Sequence, residues 1–232
     1  MVEANSNWKN LYMIAGVVAL TLLIYSLATM VILLGLGSPP ATAQEILEML
    51  RQNRLMGLLR LDALTTLIMP LYYLLLLGLY LALRKTHEMG ATLTLLLGCA
   101  GLTLFLAAPS FVSWIALSDK FALATDETQK TLLLAAGESI LVTDLWHSSS
   151  AFVGGLLLQS STLLISLVML RGNTFSKSTA WVGVVTHSLD LAHIPCLLFL
   201  PSVGTVLLMI GGTLYLVWFP LLARDFFKLG KS

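Results

Sequence analysis

His187, Asp190 and His193 fall within "THSLDLAHIP" (186–195), inside a run otherwise made of Val, Leu, Ile, Phe and Ala. A carboxylate bonded to one imidazole nitrogen fixes the ring's tautomer and leaves the other nitrogen available, which suits proton transfer or metal ligation. The string Asp-Leu-x-His occurs twice, as Asp144 to His147 and as Asp190 to His193. Positions i and i+3 share a helix face, so each Asp can reach its own His.

The elements that carry these residues are set by composition. The chain of 232 residues is 57% hydrophobic and only 11% charged, with mean hydropathy +0.89. Soluble domains carry about 25% charged residues, and the excess apolar residues come in blocks of about 20, enough to cross a bilayer as a helix. The expected fold is all-α: a single domain over 1–232, with six transmembrane spans at about 11–36, 56–83, 91–117, 147–170, 179–200 and 203–223. The blocks are continuous rather than alternating, which excludes β-barrel strands. An Ala41 to Ala43 pattern resembles a cleavage site, but the run from Leu11 to Leu36 exceeds the ~7–15 residues of a signal-peptide core and is read as a retained first helix. Two further segments, 41–54 and 126–142, are amphipathic and suit the membrane surface or a lid over the bundle.

Lys and Arg set the orientation. With the N-terminus inside, Lys9, Arg84, Lys85, Arg171, Lys177, Arg224, Lys228 and Lys231 all fall inside, while Arg51, Arg54, Lys120 and Lys130 fall outside among acidic residues. Both termini are then cytoplasmic and both amphipathic segments extracytoplasmic, in a multi-pass protein of a bacterial plasma (inner) membrane. Trp8, Trp181 and Trp218 lie near span ends, as interfacial aromatics do. A net charge of +1 gives no basic surface for nucleic acid. The expected partners are the lipid bilayer, a small-molecule or lipid ligand, and a second copy or a membrane complex.

Depth separates the two Asp-Leu-x-His strings. At ~1.5 Å per residue, Asp190 lies about 15–18 Å from the inner boundary, near the midplane of a ~30 Å core. Gln159 and Ser160 reach the same level on the preceding helix. Thr21, Tyr25, Tyr72, Tyr73, Thr103, Thr213 and Tyr215 fall near that plane elsewhere. Asp144 and His147 lie roughly 35 Å up, where Arg60 and Asp62 complete an outer rim. A charged Asp facing lipid at the midplane would cost at least ~2.5–3.5 kcal/mol, so Asp190 must face the bundle interior.

Two uses fit such a group: hydrogen-bonded glue between helices, or an outward-facing polar cavity that binds or conducts a small molecule, lipid headgroup or proton. The candidates for ligand or proton are Asp190, His193, His187, Gln159 and Ser160. A zinc site would need about four ligands from His, Cys, Asp or Glu, and the other helices offer amides and hydroxyls at that level. Bis-histidine haem lacks a level pair of histidines on different helices. Cys99 and Cys196 belong to no CxxC or CxxCH motif, so no cofactor, metal or catalytic residue is expected. Gly154-Gly155 and Gly211-Gly212 permit close helix packing. Pro195 follows His193 and can free a backbone carbonyl beside it.

"NRLMGLLRLDALTTLIMPLYYLLLLGLYLALRK" (53–85) and "RGNTFSKSTAWVGVV" (171–185) resemble the second helix and the basic turn between spans four and five of a bacterial multi-pass membrane family, domain of unknown function 4386. The resemblance implies a helical bundle in the plasma membrane and brings no activity or catalytic residues. A looser analogy is to metal-dependent hydrolases of the alkaline ceramidase and adiponectin-receptor type, which hold zinc with His and Asp in a transmembrane bundle and carry a His-x-x-x-His pair. Here His193 follows His187 by six positions, which sets them about 120° apart around a helix. A structural or assembly subunit of a membrane complex is a third reading.

The orientation is directly testable. In a chain whose two cysteines are replaced by Ala, a cysteine at position 130 is expected to react with an impermeant thiol reagent from outside, and one at position 85 is not. The reverse pattern would overturn the topology.

Overall fold

The structure is a computed structural model that describes residues 2–37, 40–108, 111–145 and 147–231, with side chains from Trp8 onward. The described residues form helices without strands: α1 (Val2–Leu36), α2 (Ala43–Gln52), α3 (Arg54–Arg60), α4 (Ala63–Ile68), α5 (Leu71–Leu83), α6 (Glu88–Leu106), α7 (Phe111–Leu123), α8 (Glu127–Leu141), α9 (Ser149–Arg171), α10 (Lys177–Phe199) and α11 (Pro201–Lys231). Five segments are long and apolar enough to cross a membrane: Trp8–Leu36, Glu88–Leu123, Ser149–Arg171, Lys177–Phe199 and Pro201–Lys231. The second of these, which contains the expected span 91–117, runs through residues 109–110, outside the described residues. Their flanks stay apolar where they are exposed: Ile24, Val31 and Leu34 on α1 are each about two-thirds or more accessible. A face of that kind marks contact with something other than water.

The expected second span, 56–83, is three short helices. The longest, Leu71–Leu83, measures about 20 Å at ~1.5 Å per residue. The chain breaks at Leu61, whose backbone is extended, and again before Pro70. The first break frees Asp62 to accept the Phe111 N–H at 2.6 Å. Pro70 has no N–H to continue the ladder.

Contacts divide the chain into two compact units, Met1–Leu27 with Pro70–Thr103 and Gly154–Ser232, and Ala28–Met69 with Leu104–Val153. In the first, the core holds Ala15, Leu22, Leu75, Leu76, Leu79, Ile165, Trp218, Phe219 and Phe226, each at most 1% exposed. Small residues let its helices approach. A Cβ on Gly101 of α6 would stand 2.6 Å from the Leu158 nitrogen and 2.7 Å from the Gly154 oxygen of α9. One turn along, Ser161 donates to the Thr94 carbonyl at 2.8 Å.

The tightest pairing is that of α10 with α11, joined by Leu200 alone. The Leu200 N–H closes on the Cys196 carbonyl at 2.7 Å. So short a turn makes the two helices antiparallel neighbours. Gly204, on the first turn of α11, lies against backbone: its absent Cβ would stand 2.7 Å from the Leu197 nitrogen and 3.0 Å from the Cys196 carbonyl carbon. At the other end of the hairpin, Asp225 of α11 caps the start of α10. Its Oδ2 accepts from the Ser176 N–H at 2.9 Å and the Thr179 hydroxyl at 2.6 Å. Its Oδ1 pairs with Arg224 at 2.9 Å, and Arg224 also donates to Ser176 Oγ.

The second unit accounts for the amphipathic segments. α2 is capped by Thr42, which accepts from the Glu45 N–H, while Glu45 reaches back past the cap to the Ala41 N–H, a variant of the capping box. Its apolar residues Ile46, Leu47 and Leu50 are buried against Trp114 and Leu117 of α7, with Leu133 and Leu134 of α8 alongside. Glu138 of α8 accepts the Ala43 N–H at 2.8 Å. The apolar face of α2 is therefore covered by protein and not laid on lipid. α8 starts at Asp126, which accepts from the Gln129 N–H at 2.7 Å.

Two neighbouring glycines test the hairpin turn. Gly204→Ala is expected to cost about 1–3 kcal/mol, the usual range for overpacking, because backbone atoms cannot move aside. Gly212→Ala has nothing within 4 Å of the new Cβ and should hold or raise the midpoint of thermal unfolding in detergent. Equal midpoints for the two variants would refute the close approach at Gly204.

Candidate functional site

Asp190 sits on the buried face of α10, with His187 one turn before it and His193 one turn after. Its position among α9, α10 and α11 follows from the two short connections, residues 172–176 and Leu200. The carboxyl is 4% exposed and His187 is fully buried. A buried charge is tolerable only with hydrogen-bond partners, and the two oxygens of Asp190 are treated differently.

Oδ2 is held firmly. The Tyr215 hydroxyl donates to it at 2.6 Å and Gln159 Nε2 donates at 3.2 Å. Gln159 Nε2 also lies 3.3 Å from the Tyr215 oxygen. The other end of the same amide, Oε1, faces His187 Nδ1 at 3.1 Å and the Thr162 hydroxyl at 3.3 Å. With that amide orientation His187 Nδ1 carries a proton and donates it to Gln159 Oε1. Trp218 closes the group from α11, its ring 4.6 Å from the His187 ring and nearly perpendicular to it. Tyr215 stacks on Phe219 at 5.2 Å, so the hydroxyl that binds Asp190 is carried by a clamped ring.

Oδ1 has no hydrogen-bond partner among the described residues, and neither do His193 Nδ1 and His187 Nε2. Oδ1 and His193 Nδ1 lie 3.7 Å apart, beyond hydrogen-bond reach. On its other side Oδ1 meets Gly211: a Cβ there would stand 2.5 Å from it. The oxygen is therefore seated over a bare stretch of α11 backbone. His193 is the more open of the pair, its side chain 14% exposed against 6% for Asp190.

Of the residues singled out from sequence, Asp190, His187 and Gln159 are thus brought together, with His193 just beyond contact. Ser160 is half-buried and makes no hydrogen bond to Asp190. Arg60, Asp62, Asp144 and His147 belong to the second unit. There His147 Nδ1 pairs with Asp144 Oδ1 at 2.7 Å, with the His ring largely exposed, and the His147 N–H also reaches that oxygen. This Asp-Leu-x-His string closes a local turn. Trp146, inside it, lies outside the described residues. Arg60 ends α3, and Asp62 is spent on the Phe111 backbone. Among the described residues no three His, Cys, Asp or Glu side chains gather as a metal site would require.

Three participants carried weaker sequence signals. Tyr215 was one of several hydroxyl residues near the midplane. Gly211 was visible only as half of a packing pair. Trp218, expected at the membrane interface, is fully buried, because the hairpin register turns it toward His187. Trp8 and Trp181 are exposed.

The pairing of Tyr215 with Asp190 should show as coupling. Hydrogen bonds to charged groups contribute about 1.5–3 kcal/mol, and residues in one network are non-additive by about 0.5–3 kcal/mol. In a double-mutant cycle of Tyr215→Phe and Asp190→Ala, read by unfolding in detergent, the second substitution should cost clearly less once the first is present. Additive effects would mean that the hydroxyl and carboxyl do not interact.

No family model, no curated protein and no solved structure matches the chain.

Proposed function

We propose that this protein is a six-span bundle of the bacterial inner membrane, with both termini cytoplasmic. In this reading Asp190 binds and releases a proton in step with a small polar ligand that arrives at His193. The spans are supported by the five long apolar helices together with the shorter apolar helix Leu71–Leu83. The orientation rests on the Lys and Arg asymmetry. The one observation that carries the site is the pair of unsatisfied atoms facing each other, Asp190 Oδ1 and His193 Nδ1 at 3.7 Å.

Nearly all buried polar atoms in folded proteins have partners, so two such atoms side by side support a place for a water or for a small polar ligand. At 3.7 Å the two atoms do not bond each other directly, and a polar group bridging them would satisfy both. Tyr215 and Gln159 hold the opposite oxygen, so the carboxyl keeps its orientation whichever state it is in. His193, more open than Asp190, is the point of exchange, and Gly211 leaves Oδ1 without a side chain over it. The resemblance of 53–85 and 171–185 to the family of unknown function 4386 agrees with a membrane bundle and adds no chemistry.

Infrared difference spectra of the purified protein, recorded between neutral and mildly acidic pH, test the proton. A carboxylic C=O band should grow as pH falls, lose amplitude in Asp190→Asn, and change its pH midpoint in His193→Gln. An undiminished band in Asp190→Asn overturns the assignment. Elemental analysis of the protein prepared without chelator is the companion measurement. About one zinc per chain, lost in both variants, would favour the metal-dependent hydrolase instead.

A further inference from the structure

Where α1 begins and α5 ends, Trp8, Lys9, Tyr12, Leu81, Arg84 and Lys85 line a cavity of about 300 Å³ in the first unit. That volume is at the small end of ligand sites, which run to roughly 300–1,000 Å³. It is separate from the Asp190 group: along α11, Leu229 beside the cavity lies about 21 Å from Tyr215 at ~1.5 Å rise per residue.

Three of the lining side chains are cationic and none is acidic. Among the described residues no carboxylate lies within 4.0 Å of Lys9, Arg84 or Lys85 to offset them. Like charges drawn into one recess repel unless an anion joins them. Cations at the inner end of a span satisfy topology wherever they point, but these converge on a hollow. The guanidinium of Arg84 lies over the Trp8 ring at 5.7 Å and near the Tyr80 ring at 6.0 Å, at the limit of cation–π contact. Its planar fork is thus braced on aromatic rings. A fork with two lysines suits a phosphate, which has enough oxygens for several charge-assisted hydrogen bonds.

A second observation says what the phosphate belongs to. From Lys9, successive helical turns of α1 bring Met13, Val17 and Ile24 onto one side, and all three are exposed apolar residues. Positions three and four apart share a helix face, so an apolar track leads away from the cationic recess. We propose that this recess binds the phosphate of an anionic phospholipid, with the acyl chains lying along that face of α1. Basic pockets between transmembrane helices on the cytoplasmic side take lipid headgroups by this chemistry.

The test uses the full chain in neutral detergent, with native mass spectrometry counting retained lipid after addition of phosphatidylglycerol or phosphatidylcholine. The native chain should keep phosphatidylglycerol preferentially. Arg84→Gln with Lys85→Gln should reduce that preference by roughly tenfold or more, at about fivefold per cation removed. Lys120→Gln with Lys130→Gln removes the same charge elsewhere and should leave it unchanged. Arg84→Lys, which keeps the charge, should retain most of it, and matching unfolding midpoints would show that the variants are folded. Equal retention of the two lipids by the native chain, or an undiminished preference in the Arg84/Lys85 variant, overturns the proposal. Displacement of phosphatidylglycerol by inorganic phosphate would keep the anion site but overturn its assignment to lipid.

Discussion

One residue, Leu200, separates two helices of 23 and 31 residues, and much of the first unit follows from that constraint. A turn so short leaves no freedom of register, so positions roughly equidistant from it face each other. Asp190 meets Gly211 and Tyr215, Gly183 meets Trp218, and Thr179 meets Asp225. Each contact pairs a polar or bulky group with the small residue or hydroxyl that accommodates it. A Cβ on Gly183 would stand 2.6 Å from the Trp218 nitrogen and 2.5 Å from Ser166 Oγ. Trp218 can bring its indole nitrogen up to the α10 backbone, beside His187, because position 183 carries no side chain.

The hairpin also explains why one carboxyl oxygen is tied and the other is not. Tyr215 and Gln159 approach Asp190 from different helices and converge on Oδ2. Oδ1 is left toward Gly211 and His193. Had position 211 carried even a methyl group, the carboxyl would have been pushed from its seat. Asymmetry of this kind separates a fixed orientation from an available lone pair.

The parts legible in the sequence are those governed by local rules. Hydropathy placed α9 and α10 to within two residues, while α11 runs to Lys231, well past the expected end at 223, and the expected span 91–117 is divided between α6 and α7. Counting helical rise from the inner boundary brought Gln159 to the level of Asp190, because the connection between α9 and α10 is short. Tyr215 stood in the same plane, but nothing in composition distinguishes it from Tyr72 or Thr213; the register through Leu200 does. The break at Asp62 depends on the Phe111 N–H, which is distant in sequence and invisible to any local window. The pattern of α2 identified its apolar face, and only tertiary packing could decide that α7 and α8 cover it. Apolar periodicity shows that a face is covered without naming the cover.

For a chain delivered to a bilayer from the ribosome, the closeness of Asp190 to Tyr215 has a consequence for biogenesis. A lone helix carrying Asp190 would present a bare carboxyl to hydrocarbon on leaving the translocon, with the penalty that entails. With Leu200 as the whole connector, α11 follows α10 without an intervening loop to be threaded across. The hydroxyl that quenches the acid arrives on the next segment synthesised. α9, with Gln159, has by then already emerged. In the proposed membrane reading, the pair leaves the translocon as a closed hairpin with its most polar side chain already screened, so the order of synthesis matches the order in which the partners are needed.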